Sequence, residues 1–157
     1  MKISLLLVGK TVNKDLNALI ADYVGRLGHY VPFEMVVIPD LKNTKSLPVE
    51  QQRKKEGELI SKYLKAGDFI VLLDEKGAER RSVEFADYIR KKQNQAFRRL
   101  VFIIGGAYGF SDDIYNMCND KVSLSKMTFS HQMVRLIFVE QLYRAFAIIN
   151  GEPYHHE

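Results

Sequence analysis

Two hydrophobic periods alternate along the chain. ISLLLVG (3–9) and FEMVVIP (33–39) are apolar runs of strand length, whereas DLNALIADYVGRLGHY (15–30) between them spaces its apolar residues at helical intervals. That order predicts an opening strand, helix and strand. DLKNTKSLP (40–48) is polar, ends in Pro48 and reads as a loop, after which VEQQRKKEGELISKYLK (49–65) reads as a charged surface helix. The pattern then predicts a strand at FIVLLD (69–74), a helix at SVEFADYIRKKQNQA (82–96), a strand at LVFIIGG (100–106), a short helix at SDDIYNMCN (111–119) and a strand at KVSLS (121–125). Alternation of this kind argues for an α/β fold, a parallel-type sheet covered by helices. No repeat, low-complexity tract or long linker divides the chain, so residues 1–157 are expected to form a single domain.

The last predicted helix, residues 131 to 151, is apolar almost all the way round. Leu136, Ile137, Phe138, Val139, Leu142, Phe146, Ile148 and Ile149 leave it no wholly polar face, which predicts burial on more than one side. His131, Arg135, Glu140 and Arg144 interrupt it, and charges at mid-span argue against a membrane helix. Packing on the sheet and on a second subunit is the expected arrangement. The tail that follows, EPYHHE, has no evident core to join.

Composition narrows the class only a little. With 46% hydrophobic and 27% charged residues the chain can bury a core, and a net charge of +4 permits a nucleic-acid partner without requiring one. The single cysteine, Cys118, excludes an internal disulfide and a cysteine metal cluster, which fits a reducing compartment. MKISLLLV lacks a small-residue cleavage site and reads as a first strand, so a cytoplasmic location is expected.

Two glycine motifs carry candidate chemistry. VGKT (8–11) is not a phosphate loop, because Ser4 stands where that pattern places its first glycine. In GGAYGFSDD (105–113), Gly105, Gly106 and Gly109 are spaced as GGxxG, which is not the dinucleotide fingerprint. Either a tight turn or a ligand site explains two glycines at the end of a buried strand. The loop SLSKMTFSHQMVR (123–135) offers backbone donors and acceptors more than charge, a lining suited to adenine and ribose and tolerant of a sulfonium.

These motifs, taken in order, resemble the RlmH family of SPOUT-class RNA methyltransferases. The likeness runs the whole length: strand-VGK at the start, KEGE (55–58), LD (73–74), IGGxxG (104–109), LSKMTF (124–129), then HxMVR, EQLYRAF and a terminal PYH. Ser130 departs from the family's common proline before the histidine, and a serine there can cap the helix instead.

The resemblance implies a C-terminal trefoil knot, S-adenosylmethionine as cofactor, no metal, and a homodimer whose second subunit completes the active site. It implies that Leu73, Gly105, Gly106, Leu124, Ser125, Lys126, Met127, Thr128 and Phe129 bind the cofactor, with the two glycines letting the backbone lie close to it. The implied reaction is methylation of N3 of a pseudouridine in a 23S rRNA stem-loop on the assembled ribosome. Candidate catalytic or substrate-positioning groups are His131, Glu140, Arg144, Tyr154 and His155. Glu140 and Arg144 also make a favourable i, i+4 pair that needs no catalytic role, and His131 can simply start the helix. Tyr154 can stack on an unpaired base, and an imidazole such as His155 can titrate near neutrality. The basic stretches at 53–55 and 90–99 are either solvated helix faces or RNA contacts. A non-catalytic RNA-binding or ribosome-assembly factor accounts for the charge and the tail but not for two cofactor loops; another nucleotide-dependent enzyme lacks its phosphate motif.

Overall fold

The computed structural model describes residues 1–156; Glu157, the last residue of the tail, lies outside the described residues. Strands β1 (Lys2–Val8), β2 (Phe33–Ile38), β3 (Asp68–Glu79), β4 (Arg99–Ile104) and β5 (Asp120–Ser123) form one sheet in the order β2-β1-β4-β3-β5. Every pairing is parallel. Helices α1 (Lys14–Leu27), α2 (Val49–Ser61), α3 (Ser82–Gln93), α4 (Asp112–Met117) and α5 (Met133–Ile149) cover it.

Continuous apolar runs mark the inner strands because both of their faces are covered. Ile3, Leu5 and Leu7 of β1 join Leu100, Phe102 and Ile104 of β4 in a core closed by α1, α3 and α5. Their neighbours Leu6, Val8, Val101 and Ile103 point the other way, into a second core closed by α2 and α4. The two faces follow from the strand order. Steps from β1 to β2 and from β3 to β4 run one way across the sheet and use α1 and α3; the opposite steps use α2 and α4. Crossovers of a single hand require that division. Since all strands are parallel, the loops after them gather at one edge, where open α/β sheets bind ligands.

Three observed features differ from the sequence reading. The third strand does not stop at Asp74 but continues to Glu79, pairing again with β5 after a register shift between Leu73 and Ala78. Gly77 permits it, because a Cβ there would lie 2.6 Å from the backbone of Lys121 and Val122. The long last helix begins at Met133 rather than His131, and the Ser130 hydroxyl accepts from the Met133 amide at 3.0 Å. The tail is not free of the core. Its chain turns back through Gly151 (φ 68°), the Glu152 amide bonds the Ala147 carbonyl at 2.9 Å, and Tyr154 packs edge-on to Tyr143 at 4.7 Å. Tyr23 and Tyr30 of the α1 region complete this aromatic seat.

α5 buries Phe138, Val139, Leu142, Ala145, Phe146 and Ala147 against the sheet, α1 and α3. Leu136 and Ile137 are only half-buried and Met133 is exposed, so an apolar stripe of this helix is left uncovered in the single chain. No helix among the described residues is long and apolar enough to cross a membrane.

Candidate functional site

A cleft of about 590 Å³ opens at the carboxyl ends of β3, β4 and β5. Leu73 closes one side, Gly105 and Gly106 a second, and Leu124, Ser125, Met127, Thr128 and Phe129 a third. Lys126 belongs to the same loop, but its ammonium lies 3.9 Å from Glu79 and the residue does not line the cleft. His131, in the loop before α5, and Val134, in its first turn, complete the rim. The two loops that the sequence separates by fourteen positions, counting from Phe110 to Leu124, therefore face one space.

Local bonds give the loops their shape. The Ser123 hydroxyl donates to the Ser125 carbonyl at 3.0 Å, and the Ser125 hydroxyl accepts from the Met127 amide at 2.9 Å, a side-chain turn that leaves Met127 78% exposed at the tip. Gly109 has φ +79° and closes a turn with its amide on the Gly106 carbonyl. The reason for Gly105 and Gly106 is partly different from the one anticipated. A Cβ on Gly105 would meet the Phe110 ring at 3.0 Å, and one on Gly106 would meet the Glu56 carboxylate at 2.5 Å, so the protein's own side chains already occupy that space.

The lining is also more charged than the sequence of the two loops indicated. Asp74, Glu75 and Asp112 line it together with Arg53 and Lys76, an acidic excess of one that favours a ligand carrying positive charge. Asp74 accepts a hydrogen bond from the Tyr115 hydroxyl, whose pKa is raised by burial and by that carboxylate, so the phenol stays protonated. Nothing in this set resembles a triphosphate cradle, and no group of three or more metal-ligating side chains occurs among the described residues.

The other candidates form a separate cluster on α5 and the tail. Glu140 Oε1 accepts from Arg144 Nε at 2.9 Å, from Arg144 Nη2 at 2.6 Å and from the Tyr154 hydroxyl at 3.2 Å. Arg144 Nη1 lies 3.1 Å from His155 Nδ1, and its guanidinium stands 4.7 Å over the Tyr154 ring. A guanidinium only donates, so His155 Nδ1 accepts and the proton of its neutral ring sits on Nε2. Burial, then the Tyr23 hydroxyl and the Glu140 charge, push the Tyr154 pKa upward, which makes it a hydrogen-bond donor at neutral pH and not a base. None of these four residues lines the cleft. Glu140 and Arg144 follow Val134 by six and ten positions, roughly 9 and 15 Å along the helix.

Sequence reasoning treated Arg135 only as an interruption of an apolar helix. It is buried to 1% exposure, and it donates to the carbonyls of Val8 (2.7 Å), Gly9 (2.8 Å) and His131 (3.0 Å) and to the Thr11 hydroxyl (2.9 Å). Burial lowers its pKa against a smaller opposing effect of Asp40. This one side chain ties the turn after β1 to the start of α5. Its signal was available: an arginine at a core-facing position of a helix must find acceptors.

Comparison with known proteins bears on both clusters. A family model described as "Predicted SPOUT methyltransferase" matches residues 1–155. The chain is 62% identical to a ribosomal RNA large subunit methyltransferase H from Phocaeicola vulgatus and 60% identical to one from Bacteroides thetaiotaomicron, covering all of each. A protein of the same description from Flavobacterium johnsoniae is 55% identical over the full length of both chains. In fold, the chain is similar to a solved structure of "a probable methylase family protein" from Haemophilus influenzae, with a TM-score of 0.51 at 12% identity over 99% of this chain and 70% of that one.

Proposed function

We propose that this chain, which belongs to the SPOUT methyltransferase family, methylates N3 of a pseudouridine in large-subunit ribosomal RNA, acting on the assembled ribosome. It is a methyltransferase that uses S-adenosylmethionine, and the C-terminal trefoil knot comes with the family. Full-length identity to large-subunit ribosomal RNA methyltransferases supports the RNA class, and the named nucleotide rests on the resemblance of the motifs. The whole chain acts as one catalytic domain, working in the cytoplasm where ribosomes are.

The observation that carries this reading is the cleft in which the GGxxG and LSKMTF loops face each other. Its size, its glycine-lined wall and its acidic excess fit the cofactor, which when bound supplies a methyl group on a cationic sulfonium. Leu73, Gly105, Gly106, Leu124, Ser125, Met127, Thr128 and Phe129 would hold it, with Lys126 outside the lining, and His131 stands on the rim.

The acceptor nitrogen must lose its proton as its new bond to carbon forms, so the protein has to orient the base and give the proton a route. Glu140 fixes Arg144 and Tyr154, Arg144 fixes the His155 ring, and the cluster presents an aromatic face beside a guanidinium and an imidazole. That set suits an unpaired base held by stacking and hydrogen bonds. The cluster lies away from its own chain's cleft, while α5 keeps an uncovered apolar stripe. Both observations favour a homodimer in which one subunit's tail serves its partner's cofactor cleft.

Ribosomes lacking the modification, incubated with the protein and labelled S-adenosylmethionine, should acquire label at a single pseudouridine. Sedimentation should give about twice the 18.1 kDa chain mass. Label on another RNA or on none would overturn the substrate assignment, and a monomer would overturn the composite site.

A further inference from the structure

The motif KEGE has no part in the chemistry above, yet its helix stands directly behind the glycine loop. Arg53, Glu56 and Gly57 occupy positions i, i+3 and i+4 of α2 and so share one face. From that face they meet the loop at its start, middle and end. Glu56 Oε1 accepts from the Gly106 amide at 2.9 Å, Arg53 Nε donates to the Tyr108 carbonyl at 2.7 Å, and Gly57 lies so close to Ser111 that a Cβ would be 2.4 Å from its hydroxyl oxygen. Ser111 in turn caps α4 through the Ile114 amide.

Glutamate and glycine are matched here. The second Glu56 oxygen stands 2.5 Å from the place a Gly106 Cβ would take, so any other residue at 106 would expel the carboxylate. Arg53 lines the cleft but Glu56 does not, which puts the carboxylate one layer behind it.

The position also has an electrostatic cost. Three groups face the carboxylate: the Gly106 amide from the glycine loop, Asp40 from the loop after β2, and His131 from the loop before α5. Burial raises the Glu56 pKa and Asp40 adds to it, while the Gly106 amide and His131 oppose; the net direction is upward. An acid whose folded pKa is raised favours the folded state most below the ordinary carboxylate value, and that contribution is lost as pH rises through the raised one. A side chain kept for stability alone would avoid this arrangement.

We infer that Glu56 is a positioning residue for methyl transfer: through the Gly106 amide, its carboxylate holds the glycine loop in the shape that receives the cofactor. The inference rests on the assignment of the cleft to S-adenosylmethionine. Ionised, Glu56 is a strong acceptor for the amide; protonated, it is a weaker one, and the loop loosens.

The test uses the full-length protein with Glu56→Gln, which keeps shape and an acceptor oxygen but never ionises, and Glu56→Ala. Amide hydrogen exchange at residues 106–109 is measured without ligand, S-adenosylmethionine affinity by calorimetry from about pH 5 to about pH 8, and melting temperature at each pH. In the unsubstituted protein, protection and affinity should fall together as pH drops through the Glu56 titration. Glu56→Gln should bind roughly tenfold more weakly at the alkaline end, lose most of that pH dependence, and melt no lower than the unsubstituted protein there. Glu56→Ala should lose the protection at Gly106 outright. A pH dependence that survives unchanged in Glu56→Gln does not come from Glu56 and overturns the proposal. Unchanged exchange and affinity would overturn it too, as would an affinity loss matched by a lower melting temperature. If the unsubstituted protein binds no S-adenosylmethionine, the cofactor assignment fails, while the exchange comparison still decides whether Glu56 holds the loop.

Discussion

The cleft and the tail cluster use different materials. Around the cleft the polar groups mix glycine-loop backbone with charged side chains from Arg53, Asp74, Glu75, Lys76 and Asp112, and the loop tips are exposed, Met127 at 78% and Tyr108 at 52%. In the tail cluster they are side chains, each with a partner and locked by rings: Tyr154 on Tyr143, Tyr143 near Tyr23 and Tyr30, and Tyr30 stacked on Phe146 at 5.9 Å. A lining assembled from several loops recognises a ligand by shape and by charge summed over many residues. A preorganised side-chain cluster depends on each member, and it can orient a reacting base without reorganising.

Removal of residues 153 to 157 is the most direct way to break the comparison. If the regions are independent, S-adenosylmethionine affinity should stay within about twofold while methyl transfer to ribosomes falls about a hundredfold or more. Because Tyr154 packs on Tyr143 and bonds Tyr23, the deletion should also lower the melting temperature. Tyr154→Phe separates the effects: it keeps the ring and loses the hydroxyl bonds to Glu140 and Tyr23. A truncated protein that transfers methyl at full rate would leave the tail with a purely structural role.

Arg135 bears on the cleft side of the comparison, since it fixes the end of α5 whose Val134 lines the cleft. Arg135→Leu strands the carbonyls of Val8 and Gly9 in a buried place and should destabilise the protein by about 3 kcal/mol. Urea denaturation measures it. A change near zero would mean that water or backbone movement satisfies those carbonyls.

Much of this was legible in the sequence, and the parts that were not share a cause. The continuous apolar runs at 5–8 and 100–104 gave strands covered on both faces because burial leaves its mark at every position. The two loops that line the cleft were legible, one through its paired glycines and both through their order along the chain. What stayed hidden was pairing at long range. Glu56 with Gly106 spans 50 positions, Tyr23 with Tyr154 spans 131, and Arg135 with Val8 spans 127. Periodicity records which face a residue presents, not which partner it meets. The tail looked free for this reason: its seat is made by α1, at the far end of the chain.

Mixing subunits sharpens the comparison by asking whether cleft and tail must lie in one chain. A variant with a disrupted glycine loop, Gly106→Val, whose added side chain would expel the Glu56 carboxylate, and the tail-deleted variant should each be inactive alone. In a dimer of the two, one composite site carries both lesions and the other carries neither. Free exchange should therefore restore roughly a quarter of full activity, half of the dimers being mixed with one working site each. If each cleft uses its own tail, no mixture recovers activity.

The smallest expected effect concerns the basic stretches, for which the sequence favoured RNA contact but did not decide which stretch makes it. The structure separates them by pairing. On α3, Arg90 and Lys91 both pair with Asp87, and Lys92 lies over the rings of Phe69 and Tyr88 at 4.3 and 5.1 Å. On α2, Arg53 is held by Tyr108, but Lys54 and Lys55 are exposed and form no ion pair among the described residues. A cation already neutralised by a neighbour releases fewer counterions on meeting phosphate. Lys54→Ala or Lys55→Ala should thus reduce the slope of log affinity against log salt for ribosome binding by about one unit each, and Lys91→Ala by less. Cofactor affinity should not move in any of the three. If Lys91→Ala changes the slope most, Asp87 releases its partners when RNA arrives, and α3 becomes the face that meets the ribosome.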